Sequence, residues 1–302
     1  MRNKLVVIII VCSLLIPGLA LASDYPLEVT DDLDKQITIQ QQPTRIISLA
    51  PSHTETLFAL GLDENLVGVT KQANYPAEAA EIEKVGSIKD PNLEKMIEMK
   101  PDLVLAAGVT PKEIVNKLRS LDIKVIGLNP QSIEGIIADI SLIAKVTGAN
   151  KKGTEVTTTM ENKLHKIKKV VKENIERGKR PKVFYEIWND PLYTAGPETF
   201  INDLIDLAGG INIAQDTKGK WPQYNLETLL AENPEVYITS NHNQDNKTTK
   251  SSIKKRDKFQ EIKAIKQNRI LVLNSDLVNR ASPRIILGLE KIAEAIHPDL
   301  FK

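Results

Sequence analysis

The stretch NLEKMIEMKPDLVL, residues 92–105, returns without a gap as NLETLLAENPEVYI, residues 225–238. Self-similarity of this kind marks a structural unit used twice. In each copy an Asn precedes a helical period, a Glu follows in the first turn, and a Pro precedes an acid and an apolar run. Asn caps helices, a carboxylate is favoured at the positive end of the helix dipole, and Pro cannot continue a helix. Each copy is therefore a capped helix feeding a buried strand. This account leaves open why both copies carry an exposed glutamate, Glu94 and Glu227, where many residues would serve.

Outward from the first copy, an extended lead-in (27–32 and 36–40) precedes apolar runs at 45–49, 66–69, 103–106 and 124–128. These alternate with helical periodicity from Ser52, from Asn92, from Pro111 and over 132–147. Around the second copy, runs at 182–187, 236–239 and 270–273 alternate with helices over 199–207, from Leu226, near 258–267 and over 283–296. Continuous apolar strands separated by helices predict parallel sheets covered on both faces. Between the series lies a lysine-rich, proline-free segment in which Val156, Met160, Leu164, Ile167, Val170 and Val171 recur at helical spacing. The expected fold is α/β: two Rossmann-like lobes, residues 23–148 and 181–302, joined by one long rigid helix over 149–180. The polar stretch 241–255 has no apolar period and predicts a solvated surface loop.

Arg2 and Lys4 precede an apolar run ending in Ala20, Leu21 and Ala22, the pattern of a secretory signal peptide over residues 1–22. The only cysteine, Cys12, sits inside that run rather than after small residues at its end, so release as a soluble extracytoplasmic protein is expected. Without the leader, basic residues fall from 40 to 38 against 39 acids, which gives no general attraction to nucleic acid or anionic membrane. The mature chain keeps no cysteine, which excludes disulfides, thiolate metal sites and a cysteine nucleophile. The four histidines, His53, His165, His242 and His297, have no spacing suited to a metal site. No cofactor is expected.

Residues 50–61, APSHTETLFALG, place Ser52, His53 and Glu55 within four positions. A nucleophile elbow needs glycines flanking the serine, and here Ala50 and Thr54 stand instead. Ser52 and Glu55 satisfy the capping-box pattern ahead of the apolar run at 57–60, so a capped helix start is expected. His53 and Thr54 remain candidates for ligand contact, and a hydrolase using Ser52 with His53 is the enzymatic alternative. Aromatic residues number thirteen, so the core must be aliphatic. Trp188 and Tyr193, Trp221, and Tyr75 fall in segments after strands, where open α/β folds bind ligands. Asp276 and Arg280 lie between a strand and the last helix, with Ser282 as expected cap. Their alternatives are a surface ion pair or an acceptor and forked donor for ligand amides.

The segments RIISLAPSHTETLFALG, NYP, NLEKMIEMKPDLVLA, NDPLYTAGPETFINDLIDLAGGINIA, WPQYNLETLLAENPEVYIT and RASPRIILGLEKIAEAI resemble, in order, the vitamin B12-binding proteins of ABC importers. These belong to the class III periplasmic-binding fold that also serves siderophores and haem. The resemblance implies a monomer with no chemistry of its own, which captures cobalamin or a related corrinoid between its lobes and delivers it to a membrane permease. An iron–siderophore or haem binding protein of the same fold is the alternative. It implies corrin contacts at Tyr75, Tyr193 and Trp221, amide recognition at Asp276 and Arg280, and permease docking at Glu94 and Glu227. Trp188 and His53 join the candidate ligand-binding set from their place in the sequence. Tryptophans known in the family would fall on Ile88 and Ala107 here, which leaves less stacking surface in the first lobe.

Overall fold

Both repeated asparagines cap a helix. Asn92 accepts from the Lys95 amide at 3.0 Å, and Asn225 accepts from the Thr228 amide at 2.7 Å. The computed structural model in which these bonds are seen describes residues 25–175, 178, 180–241 and 248–301. The lead-in is an antiparallel hairpin, β1 (Leu27–Thr30) on β2 (Gln36–Ile39). The first lobe follows with β3 (Ile46–Ser48), α1 (Pro51–Ala59), β4 (Leu66–Val69), α2 (Leu93–Glu98), β5 (Leu103–Ala107), α3 (Lys112–Ser120), β6 (Lys124–Leu128) and α4 (Ile133–Val146). A single helix of 26 residues, α5 (Asn150–Ile175), leads to the second lobe. There β7 (Lys182–Asn189), β8 (Leu192–Thr194), α6 (Phe200–Leu207), β9 (Ile211–Asn212), α7 (Leu226–Glu232), β10 (Val236–Asn241), α8 (Lys250–Lys254), α9 (Lys263–Lys266), β11 (Ile270–Asn274), α10 (Asp276–Asn279) and α11 (Ile285–Ile296) follow in order.

The first sheet runs β4-β3-β5-β6, all parallel. The second runs β11-β10-β7-β8, with β9 also on β7, and only β8 is antiparallel. The order β3-β5-β6 in one lobe therefore matches β7-β10-β11 in the other. The repeated segments supply β5 and β10, the middle strand of each trio. Their side chains are buried on both faces, as a parallel sheet covered by helices requires.

The largest apolar cluster does not stop at either lobe. Met160, Leu164, Ile167 and Val171 of α5 are buried in it together with residues of both sheets. Ion pairs flank this seam, from Lys163 to Glu290 of α11 at 2.8 Å and from Lys168 to Glu134 of α4 at 2.6 Å. Close approach of α4 and α5 needs a glycine. A Cβ on Gly153 would stand 2.4 Å from the Ala144 Cβ.

Several local expectations are corrected. Within 241–255, Thr249 and Ser252 form a capping box for α8, and Ile253 buries itself against the second lobe; His242 lies outside the described residues, as does the leader. The helix expected near 258–267 is a 3-10 turn (Phe259–Glu261) followed by α9. Trp188 is inside β7 rather than beyond it.

In an exposed helix Gly→Ala gains about 1 kcal/mol of helix propensity. At Gly153 the clash with Ala144 is expected to outweigh that gain by about 1–2 kcal/mol. Thermal unfolding of Gly153→Ala should therefore show a lower midpoint, and adding Ala144→Gly should restore it. A midpoint that rises in the single variant would show that α4 and α5 are not in tight contact.

Candidate functional site

The carboxyl ends of parallel strands from both sheets face one cleft of about 1060 Å³ between the lobes. Pro51, Ala107 and Asn129 reach it from the ends of β3, β5 and β6, and Ile187 and Asp276 reach it from the ends of β7 and β11. Open α/β sheets bind ligands at such ends because the strand-to-helix loops there are free to vary. Ile88 and Ala107, the aliphatic residues where the family carries tryptophan, both line the first-lobe wall.

Glu55 joins the two lobes beside this cleft. The Ser52–Glu55 capping box does not form, because α1 starts at Pro51 with Ala50 as an uncapped N-cap. Glu55 instead points across to the second lobe and is buried. Its Oε1 accepts from Arg280 at 2.8 Å and from Arg284 Nη2 at 2.6 Å. Its Oε2 accepts from Arg284 Nε at 2.9 Å and from the Ser282 hydroxyl at 2.6 Å. Ser282 is thus engaged by Glu55 rather than capping the last helix, which begins at Ile285. The Arg284 guanidinium also lies 3.5 Å from the centroid of the Tyr75 ring, so a second-lobe cation holds a first-lobe aromatic. A carboxylate moved out of water is costly unless paired and hydrogen-bonded, and here every lone pair that matters is met.

The candidate residues distribute unevenly about the cleft. His53, Trp221, Asp276 and Arg280 line it. Tyr75, Tyr193 and Trp188 do not, although Tyr75 and Trp188 are exposed. Trp188 faces Tyr193 across the β7–β8 pair and donates its Nε1 to the Asp190 carbonyl at 2.8 Å. Trp221 is held by the backbone on either side of it. Gly196 N donates to the Lys220 carbonyl at 2.9 Å and Thr194 N to the Pro222 carbonyl at 3.1 Å. This approach is possible because Gly196 has no side chain; a Cβ would meet the Gly219 carbonyl at 2.1 Å.

Arg280 is not a free donor, since its Nη2 is 3.0 Å from Asp276 while Nη1 serves Glu55. His53 is buried, and burial pushes its pKa down to about 4, so the imidazole is neutral. Its Nδ1 has no hydrogen-bond partner among the described residues. Nothing joins it to Ser52, so the serine lacks the base that a nucleophile needs. Thr54 turns inward, its hydroxyl 2.9 Å from that of Ser48, and takes no part in the cleft. His165 is exposed on α5. Among the described residues no group of three His, Cys, Asp or Glu could hold a metal ion.

The reading of residues missed four side chains. Gln72, Asn129 and Gln131 add amides to the first-lobe wall, and Arg284 completes the clamp. Asn129 is fixed by its backbone N–H, which donates to the Asp32 carboxylate at 2.6 Å, and Asp32 sits beside Asp139. Burial, followed by the charge of Asp32, pushes the Asp139 pKa up to about 8. A signal for the clamp existed: Glu55 is the only Asp, Glu, Lys or Arg in residues 46–62, and an isolated charge in an apolar run needs a partner.

Removing one member of a buried ion pair leaves the others uncompensated and costs about 3–5 kcal/mol. Glu55→Ala should lower stability to urea by that amount, because it leaves Arg280 and Arg284 facing each other. A loss below about 1 kcal/mol, the range of exposed ion pairs, would show that the clamp does not hold the lobes.

Comparison with known proteins agrees with this architecture. The profile of a family described as periplasmic binding protein matches residues 46–277. An ABC transporter substrate-binding lipoprotein of Bacillus subtilis, YvrC, is 36% identical over 92% of this chain and 88% of its own. The structure of the periplasmic vitamin B12-binding protein BtuF of Vibrio cholerae superposes with a TM-score of 0.73 at 27% identity, covering 85% of this chain and 97% of that one. A Staphylococcus epidermidis structure, described as a possible iron-binding (periplasmic solute-binding) protein, gives 0.70 at 30% identity over 85% and 100%. With its two matching sheets, its single connecting helix and its cleft at the strand ends, this chain belongs to the periplasmic binding protein family.

Proposed function

We propose that this protein is an extracytoplasmic solute-binding protein that captures cobalamin or a related corrinoid between its lobes and delivers it to an ABC importer. The observation that carries the ligand is the make-up of the cleft. At about 1060 Å³ it is at the upper end of small-molecule sites, and its walls combine aliphatic side chains, Trp221 and uncharged amides. A corrinoid is a large, flat macrocycle with apolar faces and an amide-bearing edge. Haem and the anionic siderophores instead require converging basic groups. Of the two cations lining this cleft, Lys220 and Arg280, the second is engaged by Glu55 and Asp276. The name of the Vibrio cholerae protein supports the corrinoid, and that of the Staphylococcus epidermidis protein, a possible iron-binding one, keeps an iron complex as the reading to be tested against it.

In this reading Trp221 stacks on one face of the macrocycle, and Tyr75, Tyr193 and Trp188 form an aromatic rim that meets it at the mouth. Asp276, Asn129 and Gln131 take its amides, with Arg280 adding a donor where its bonds to the clamp permit. His53 forms part of the floor as a neutral group. Membership of a family of binding proteins assigns the protein no reaction, and the geometry at Ser52 agrees. Release as a soluble monomer after removal of residues 1–22 belongs to the same proposal. Among the described residues no helix is long and apolar enough to cross a membrane. Glu94 and Glu227 serve as one anionic post on each lobe. Both are exposed in the first turn of α2 and of α7, and neither has an ion-pair partner among the described residues. A permease with two-fold symmetry would present a basic group to each.

Mixing the purified protein with cyanocobalamin, haemin and a ferric hydroxamate, and reading the visible spectrum of the protein fraction, tests the ligand directly. Loss of a desolvated aromatic anchor commonly costs about 2 kcal/mol, so Trp221→Ala should weaken cyanocobalamin binding about thirtyfold by calorimetry. Unchanged affinity would remove Trp221 from the site. Glu94→Ala combined with Glu227→Ala should leave that affinity intact while abolishing ligand-stimulated ATP hydrolysis by the reconstituted importer. Normal stimulation by the double variant would refute the docking role.

A further inference from the structure

The two walls of the cleft differ in charge. The first-lobe wall offers Ser52, Gln72, Asn129 and Gln131 as polar side chains, together with His53, which burial holds neutral, so it carries no charge at neutral pH. Every Asp, Glu, Lys and Arg lining the cleft comes from the second lobe: Glu198, Asp203, Lys220, Asp276 and Arg280. Asp276 and Arg280 neutralise one another at 3.0 Å, and Arg280 is further tied to Glu55. Lys220 is therefore left against two carboxylates.

Glu198 and Asp203 flank the start of α6, one before its cap Thr199 and the other in its first turn. The helix dipole favours an acid there. It does not account for both acids lining a ligand-sized cleft, nor for the company they keep. Burial, followed by the neighbouring charges of Asp206 and Glu134, raises the pKa of Asp203.

We infer that Glu198 and Asp203 are specificity-determining residues, which exclude anionic metal complexes from the cleft and admit neutral or cationic ones. The identity of the complex as a corrinoid rests on the proposed function; the charge rule rests on the wall itself. A ligand enters with its uncharged, amide-bearing edge toward Gln72, Asn129 and Gln131 and with any positive charge toward α6. A carboxylate added to the edge facing α6 meets the like charges of Glu198 and Asp203 on the same wall.

Titration calorimetry on the purified protein compares cyanocobalamin with each of the monocarboxylic acids made by hydrolysing one peripheral amide. At low salt at least one acid is expected to bind about tenfold more weakly, with the ratio shrinking as salt rises. Glu198→Gln with Asp203→Asn is expected to bring that ratio to about twofold or less. Glu198 is exposed, so Glu198→Gln alone keeps the test where the double variant folds poorly. Equal affinity for all the acids in the wild type, or a ratio that neither variant changes, overturns the inference. Failure to bind any corrinoid overturns the ligand proposal instead, and the charge rule is then judged with a neutral ferric hydroxamate against haemin. Preference for haemin, which bears propionate carboxylates, overturns the rule; preference for the hydroxamate that Glu198→Gln weakens sustains it.

Discussion

One buried carboxylate sets the relation between the lobes. Glu55 takes hydrogen bonds from three second-lobe side chains more than 220 residues away in sequence. Its burial can be tolerated only while those partners stay in place, since the Coulomb gain offsets desolvation only with near-complete hydrogen bonding. The clamp is therefore all-or-none: opening the lobes at this point would bare a carboxylate and two guanidinium groups at once. Through Arg284 it also fixes Tyr75, and through Arg280 it fixes Asp276 on the cleft wall.

The clamp works because α5 limits what else the lobes can do. A helix of 26 residues has its apolar stripe buried against both lobes, so they are tied along its length. Two attachments of different kinds, an apolar seam along α5 and an ionic one at Glu55, hold the cleft at a set width. Preorganisation of this kind lowers the ordering that binding has to meet. The cleft walls are free to carry chemistry precisely where neither attachment lies, at the loops after the strands.

How much of this could be read from residues depends on the range of the interaction. The caps at Asn92 and Asn225 were legible because donor and acceptor lie three residues apart, and the strands were legible because burial on both faces leaves a continuous apolar run. The linking helix was legible from Met160, Leu164, Ile167 and Val171. Ser52 and Glu55 misled because a local pattern was complete in itself, while the stronger partners of Glu55 were remote in sequence. The same holds for Ser282. The short β8 and β9 strands, set by pairing to β7, left no period to detect, and α8 was masked by the polar composition of its segment. Of the aromatic and charged candidates, Trp221, Asp276 and Arg280 line the cleft, while Tyr75, Trp188 and Tyr193 do not. The amides Gln72, Asn129 and Gln131 passed unnoticed because nothing in their local sequence distinguishes a ligand contact from a solvated side chain.

The repeat itself shows where the two lobes had to agree and where they could differ. The capped helix and the central strand recur because each sheet needs the same element at its middle, and a change there would disturb packing on both faces. The glutamates Glu94 and Glu227 recur although packing does not need them, since both side chains are exposed. The cleft walls do not recur: one is aliphatic and amide-bearing, the other aromatic and acidic. The matching part is thus the trio of strands with its capped helix and exposed glutamate, while the flanking strands and the cleft walls differ. On the proposed function, the recurring glutamates would meet the two halves of the importer, and the differing walls would meet the cargo.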